Sequence, residues 1–316
     1  MLVVLCDLIA DISMHLPRFP VEAGSLHRLS YLGVGPGGAC SAAIMAARFG
    51  LPVTCLGEVG DDLFGDIVRN GLVREGIDTK HIQVTANTAT PVAGVIVDAA
   101  AEPAYLGIAG GLTLTQLPDE WHAIIDSASA VYADGWAEHP SVPAILLAAF
   151  ARAAQAGITV YFDPGPGNPD LPDDWMMDAI THTRVLLVNE AEALRLSGRT
   201  EIDAAATDFL NKGPALVVVK RGALGCILYR AGERVEVPGL TVSVGDQTGA
   251  GDRLSAAVIH ASLNGYALED TGLLGNATGA AKVAKPGTGH NMPTLDEIRA
   301  VLTAHNYATE IVPTEH

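Results

Sequence analysis

Short runs of aliphatic and β-branched residues recur along the chain at 2–5, 53–56, 130–133, 158–162, 185–188 and 216–219. Each is apolar throughout instead of alternating with polar positions, the pattern of strands buried on both faces. Longer stretches with helical periodicity lie between them. Segment 141–156 is rich in Ala and Leu, stops at Gly157 and leads directly into 158–162, so it reads as a helix-to-strand unit with its terminating glycine in place. Repetition of such units predicts an α/β fold with a mainly parallel sheet covered by helices on both faces.

Two stretches break this rhythm. Residues 12–32 carry scattered prolines and little helical period, and within 88–106 the run 92–97 looks extended. They predict a small separate β element. No long Pro/Gly/Ser linker divides the chain, so the expectation is one domain over 1–316 with a β lid contributed by 12–32 and 88–106.

Composition fits that picture and narrows the partners. Of 316 residues, 49% are hydrophobic but only 5% aromatic, so the core must be built from Ala, Val, Leu and Ile. A formal net charge of −17 argues against nucleic acid as a partner, because phosphate backbones are held by clustered Lys and Arg. An anionic substrate would then need local amides and a metal. Cys6, Cys40, Cys55 and Cys226 show no CxxC or metal-ligand spacing and read as reduced core thiols. The apolar first residues include Asp7 and lack a basic start, which suits a buried first strand better than a signal peptide. No apolar run is long enough for a membrane span, and a cytoplasmic enzyme is expected.

The strongest chemical signal is Asp246-Gln247-Thr248-Gly249-Ala250-Gly251-Asp252, followed by a helical pattern from Arg253 to Ala261. Glycines let a backbone turn tightly against a ligand, and the following helix offers unpaired N–H groups and a positive dipole end, a combination that binds anions. Asp252 could accept a proton from an attacking hydroxyl while those amides hold developing charge. It could equally cap the helix. The tetrapeptide alone does not decide between the two.

The ordered series of segments resembles the ribokinase, or PfkB, family of carbohydrate and nucleoside kinases over nearly the whole chain. The resemblance implies a three-layer αβα sandwich with a small β-sheet lid and ATP-dependent phosphorylation of a hydroxyl on a pentose or hexose. It also implies Asp252 as catalytic base and the Gly249, Ala250 and Gly251 amides as anion hole. The run Gly57-Glu58-Val59-Gly60-Asp61-Asp62-Leu63-Phe64-Gly65 resembles the family's strand-end motif, with Asp61 and Asp62 as supporting residues and a helix starting near Asp62. Asn189 and Glu192 resemble its Asn-x-x-Glu motif, which implies ATP-side positioning and Mg²⁺ at Glu192, acting through water. Lys220-Arg221-Gly222-Ala223-Leu224-Gly225 resembles the nucleotide-side loop, with Gly222 and Gly225 at ATP. Lys220 is a phosphate-side candidate, although a lysine at a strand end is ordinarily solvated. Asn276 and the turn at Gly287 resemble the adenine-side wall. A K⁺ site is implied near Asp246 and Thr248, and pairing of lids implies a homodimer.

On the acceptor side, Asp11 falls where the family binds substrate hydroxyls, and Gly37 and Gly38 match its Gly-Gly segment. Ser41 stands where an Asn is usual. Arg253-Leu254 also departs from the usual small residue and Phe, and Arg253 is expected to approach phosphate or point to solvent. Ala39 occupies the region where phosphofructokinase-like members carry Lys, which favours an unphosphorylated acceptor; Arg28 could restore such a contact.

Other classes fit less well. Gly33-Val34-Gly35-Pro36-Gly37-Gly38 satisfies G-x-G-x-x-G, the fingerprint of an NAD-dependent oxidoreductase, but it stands far from the first strand, which it should follow directly. Glu58, near the spacing for its acid, already belongs to the Gly57 motif. The chain has no P-loop motif, no G-x-S-x-G elbow and no H-E-x-x-H. A ribonucleoside kinase of the same family and a non-catalytic sugar- or nucleotide-binding regulator remain as alternatives.

Overall fold

The structure, a computed structural model, describes residues 1–5, 8–18, 20–136, 139–167, 173–243, 245–246 and 250–314, with Ala250 and Asp252 described for their backbone alone. In chain order the strands are β1 (Leu2–Leu5), β2 (Ala10–His15), β3 (Tyr31–Pro36), β4 (Val53–Gly60), β5 (Ile82–Thr85), β6 (Val92–Val97), β7 (Pro103–Ile108), β8 (Ala130–Asp134), β9 (Thr159–Asp163), β10 (Val185–Asn189), β11 (Leu216–Lys220), β12 (Cys226–Arg230) and β13 (Glu233–Val237). The helices are α1 (Cys40–Arg48), α2 (Leu63–Arg74), α3 (Asp119–Asp126), α4 (Val142–Gln155), α5 (Asp174–His182), α6 (Glu190–Ser197), α7 (Ile202–Leu210), α8 (Ala250–Leu263), α9 (Leu268–Val283) and α10 (Leu295–Ala304).

Nine strands form one sheet in the order β13-β12-β11-β10-β9-β8-β1-β4-β5. All neighbours from β11 to β5 pair in parallel, while β12 and β13 are added antiparallel. The alternation of side chains along each strand splits the core in two. Leu2 and Val4 of β1 join α1, α2, α8, α9 and α10 on one face. Val3 and Leu5 join α3 to α7 on the other. The result is the three-layer αβα arrangement expected from the sequence. Four further strands form a small sheet, β3-β2-β6-β7, in which β2 pairs parallel with β6 while β3 and β7 pair antiparallel at the edges.

The expected central strands coincide with β1, β4 and β8 to β11, most of them prolonged at the carboxyl end. That prolongation matters, because the added residues include Asp134, Asp163, Asn189 and Lys220. Parallel pairing brings these polar termini to one edge of the sheet, the edge where open α/β sheets bind ligands. The hairpin β12–β13 was not anticipated from the sequence. Its signal is the two-residue Ala231-Gly232 connection, with Gly232 at φ 77°, between two β-prone runs. Helix α4 starts after Ser141 and ends at Ala156, with Gly157 at φ 72° as the stop.

Cys40, Cys55 and Cys226 are unbridged and buried, as expected, and burial pushes the Cys55 and Cys226 thiols up to about 12. Cys6 lies outside the described residues.

Candidate active site at the carboxyl edge of the sheet

Helix α8 begins at Ala250, so Gly251 and Asp252 occupy its first turn, where backbone N–H groups have no partner within the helix. Gln247, Thr248 and Gly249 lie outside the described residues, as does the Asp252 side chain. Beneath this turn lies a buried ion pair. Lys220, the last residue of β11, donates from Nζ to Asp163 Oδ2 at the end of β9, 2.5 Å away. Ser255 Oγ, one turn into α8, donates to the same oxygen at 2.8 Å. A Cβ placed on Gly251 would sit 3.3 Å from Lys220 Nζ, so the ammonium lies directly against the helix start. Lys220 is thus not solvated in the way a lysine at a strand end ordinarily is. Its chain runs inward from a central strand with buried neighbours on both sides, and its charge is met by Asp163, which sequence reasoning did not single out. The available signal was an Asp closing an otherwise apolar run.

Beside it, Asn189 caps α6 through a reciprocal box. Asn189 Oδ1 accepts from the Glu192 amide at 2.8 Å, and the Glu192 carboxylate accepts from the Asn189 backbone N–H at 2.8 Å and its Nδ2 at 2.7 Å. The two residues of the Asn-x-x-Glu motif thus fix one another at the end of β10. Gly222 and Gly225 sit in left-handed conformations at φ 55° and 90° in the turn between β11 and β12. A Cβ on Gly225 would meet Val237 O at 2.1 Å. Asn276 of α9 donates from Nδ2 to the carbonyls of Val237 and Pro238. Gly225 and Asn276 therefore shape the same stretch of backbone after β13. Gly287, expected on the same wall as Asn276, makes a different set of contacts. Its amide donates to Asp246 Oδ2 at 2.6 Å, and it packs against the Tyr31 hydroxyl of the small sheet.

At the small-sheet side, Asp11 of β2 is buried and rests on Gly37, whose added Cβ would lie 2.0 Å from Asp11 Oδ1. Gly38, at φ 54°, then turns the chain into α1, where Ser41 is buried in the first turn. Burial, with Cys55, Asp11 and Asp134 nearby, pushes the Cys40 thiol up, which brings the Asp134 terminus of β8 into the same neighbourhood. Asp62 behaves as a structural cap. Burial opposes its charge, but hydrogen bonds from Gly65 N, Thr90 N and Thr90 Oγ1 hold it below the usual carboxylate range. Those bonds tie the chain entering β6 to the start of α2.

Mg²⁺ suits this edge. Among the described residues no group of three His, Cys, Asp or Glu could cage a metal, and Mg²⁺ asks for none, since it is commonly held by one or two carboxylates, waters and substrate phosphates. Asp163, at the end of β9, and Glu192, in the first turn of α6 after the adjacent β10, supply that donor chemistry. A K⁺ ion at Asp246 fits poorly. Asp246 is 0% exposed, its Oδ2 accepts from Gly287 N, and His15 Nε2 stands 3.2 Å away. Two cationic side chains, Arg253 and Lys282, are each fully buried in the flanking helices. Arg253, expected at phosphate or in solvent, instead lies inside the layer with its Nε 2.9 Å from Met292 Sδ, because its position on α8 faces the main core. Thr248 lies outside the described residues.

Residues 1–295 match the family of pfkB carbohydrate kinases. A ribokinase from Haemophilus influenzae is 27% identical over 307 residues, covering 94% of this chain and 96% of the relative. A nucleoside kinase from Methanocaldococcus jannaschii is 35% identical over 158 residues, about half of either chain. Among solved structures, the Arabidopsis thaliana ribokinase complexed with ribose and ATP superposes with a TM-score of 0.80 at 25% identity, covering 95% of this chain and 98% of its own. An E. coli protein provisionally assigned as ribokinase II, in complex with ATP and Mg²⁺, gives 0.83 at 24% identity, covering 96% and 100%.

Proposed function

The chain belongs to the pfkB family of carbohydrate kinases, and on that footing we propose that it moves the γ-phosphoryl group of ATP to a hydroxyl of an unphosphorylated pentose or hexose. It is a phosphotransferase with an alcohol acceptor. The observation that carries the reading is the meeting of the α8 first turn with the buried Lys220–Asp163 pair at the carboxyl edge. Amides of Gly249, Ala250 and Gly251, with the cation that lies against Gly251, would together make an anion site in an otherwise acidic protein.

In the proposed reaction Asp252 takes the acceptor hydroxyl proton as the oxygen bonds to the γ-phosphorus. The bond from that phosphorus to the bridging oxygen breaks, and ADP leaves with the electron pair. Asp11, steadied against Gly37, accepts hydrogen bonds from other acceptor hydroxyls, with Gly38 and Ser41 alongside. Asn189 stands on the phosphate side, and Glu192 would hold Mg²⁺ through water, with Asp163 close by. Bound there, it would neutralise phosphate charge. Lys220, Gly222 and Gly225 line the nucleotide side, and Asn276 holds the adenine-side backbone in shape. The small sheet acts as a lid within a single domain.

A ribonucleoside acceptor is the second reading, favoured by similarity to the Methanocaldococcus nucleoside kinase. The G-x-G-x-x-G run supports no dinucleotide site, since it lies along β3 and the turn into α1 instead of after β1. A homodimer through the lid is supported by Leu32, Leu106 and Ile108, exposed by 61%, 59% and 67% on the edge strands β3 and β7. Among the described residues no helix is long and apolar enough to cross a membrane. The buried unbridged thiols support a cytoplasmic setting.

A coupled ADP-release screen over pentoses, hexoses, their phosphates and nucleosides tests acceptor and reaction together. Asp252→Asn is expected to lower kcat by about a thousandfold while ATP binding persists. Undiminished turnover in that variant overturns the assignment of the base.

A further inference from the structure

Lys282 and Arg253 are each 0% exposed, and the reaction proposed above uses neither. Burying an ammonium is costly unless it is paired and hydrogen-bonded. Lys282 sits in the last turn of α9, where carbonyls and the negative dipole end favour a cation. Its Nζ donates to Lys285 O at 2.9 Å, closing the turn that follows the helix. The charged groups bearing on it are Arg253 from α8 and Lys285, which oppose its charge, and Asp246, which favours it.

That turn holds Gly245 and Asp246, the described residues that precede α8. Val283 O accepts from Gly245 N at 2.6 Å and Asp246 N at 3.1 Å, and Gly287 N donates to Asp246 Oδ2. A positive charge here therefore steadies the carbonyl-rich turn and the Asp246 carboxylate together. Through them it fixes Asp246, four residues before α8 begins. A bound monovalent cation could do the same work, but the buried Arg253 and Lys282 side chains oppose a further positive charge here.

We propose that Lys282 is a positioning residue whose ammonium serves as a built-in monovalent cation, ordering the 283–287 turn and Asp246 so that the α8 anion site is formed without K⁺. The inference rests on the kinase reading above, and its test separates the two.

Turnover of the full chain is measured by ADP release at about pH 6.5, where Lys282 carries its proton, with its best acceptor and Mg²⁺, in tetramethylammonium or potassium salt. The wild type is expected to respond to K⁺ by less than about twofold. Lys282→Met, which removes the charge and keeps the chain length, is expected to lose at least about tenfold in kcat while still unfolding cooperatively at or above the wild-type midpoint. Lys282→Ala is expected to recover part of that loss on addition of methylammonium or K⁺. Strong K⁺ activation of the wild type overturns the proposal, as does wild-type turnover by Lys282→Met in tetramethylammonium. If no acceptor is turned over at all, the kinase reading fails and thermal unfolding alone decides. A K⁺-dependent rise in midpoint confined to Lys282→Ala then supports the built-in cation, and any other pattern overturns it.

Discussion

Lys220 and Lys282 show how one residue type takes different work from its surroundings. Lys220 is paired with Asp163 at 2.5 Å, a contact that places a cation at the positive end of α8. Such a cation is unfavourable there on its own and becomes useful when an anion docks. Lys220→Met is expected to lower kcat by about a hundredfold, read in the ADP-release assay. Asp163→Asn would leave the ammonium buried without its counter-charge, at an expected cost of about 3–5 kcal/mol in chemical denaturation. The double variant should recover much of that loss, and failure to recover would show that the pair is not the source. For Lys282, burial with Arg253 and Lys285 nearby lowers the pKa from 10.5 to about 7. Between those values the unfolded chain holds a proton that the folded chain has released, so this group's contribution to stability rises with pH through that window. Lys282→Met should accordingly gain most in melting temperature below about pH 7 and progressively less above it. A pH-independent difference would refute the assignment.

At the scale of elements, the site depends on how helices begin. The Asn189–Glu192 box fixes the start of α6, and removing it by Asn189→Ala is expected to cost about 1 kcal/mol and to raise the KM for ATP. At α1 the requirement is space. Because a Cβ on Gly37 would overlap the Asp11 carboxylate, Gly37→Ala should displace Asp11 and raise the acceptor KM by about tenfold, with the KM for ATP little changed. Equal changes in both constants would show that the residue serves the fold generally. The start of α2 was readable in advance because its capping residue, Asp62, is distinctive, whereas the capping role of Asn189 emerged with the structure. The hairpin β12–β13 escaped because its strands are short and partly charged, and antiparallel addition breaks the helix-strand alternation that organises the rest.

For the whole molecule, the small sheet leaves two edge strands with exposed apolar side chains. Ile108→Asp together with Leu32→Asp should yield a monomer by light scattering, with the wild type sedimenting as a dimer. A monomeric wild type across working concentrations would refute the lid interface. The amino-acid sequence by itself determined the layered α/β plan, since uniformly apolar runs of strand length have no stable place except beneath helices on both faces. It also determined the order of the motifs, from Asp11 through Asn189 and Glu192 to Gly251 and Asp252, because each is carried by local turn and helix-start chemistry. Only the tertiary structure decided the charges. Whether Lys220, Arg253 and Lys282 meet solvent or carboxylate depends on which face of a strand or helix is covered, and on partners up to 57 residues away, as Asp163 is from Lys220. Hydrophobic periodicity does not encode such long-range pairing, so the electrostatics around Asp252 came into view only with the fold.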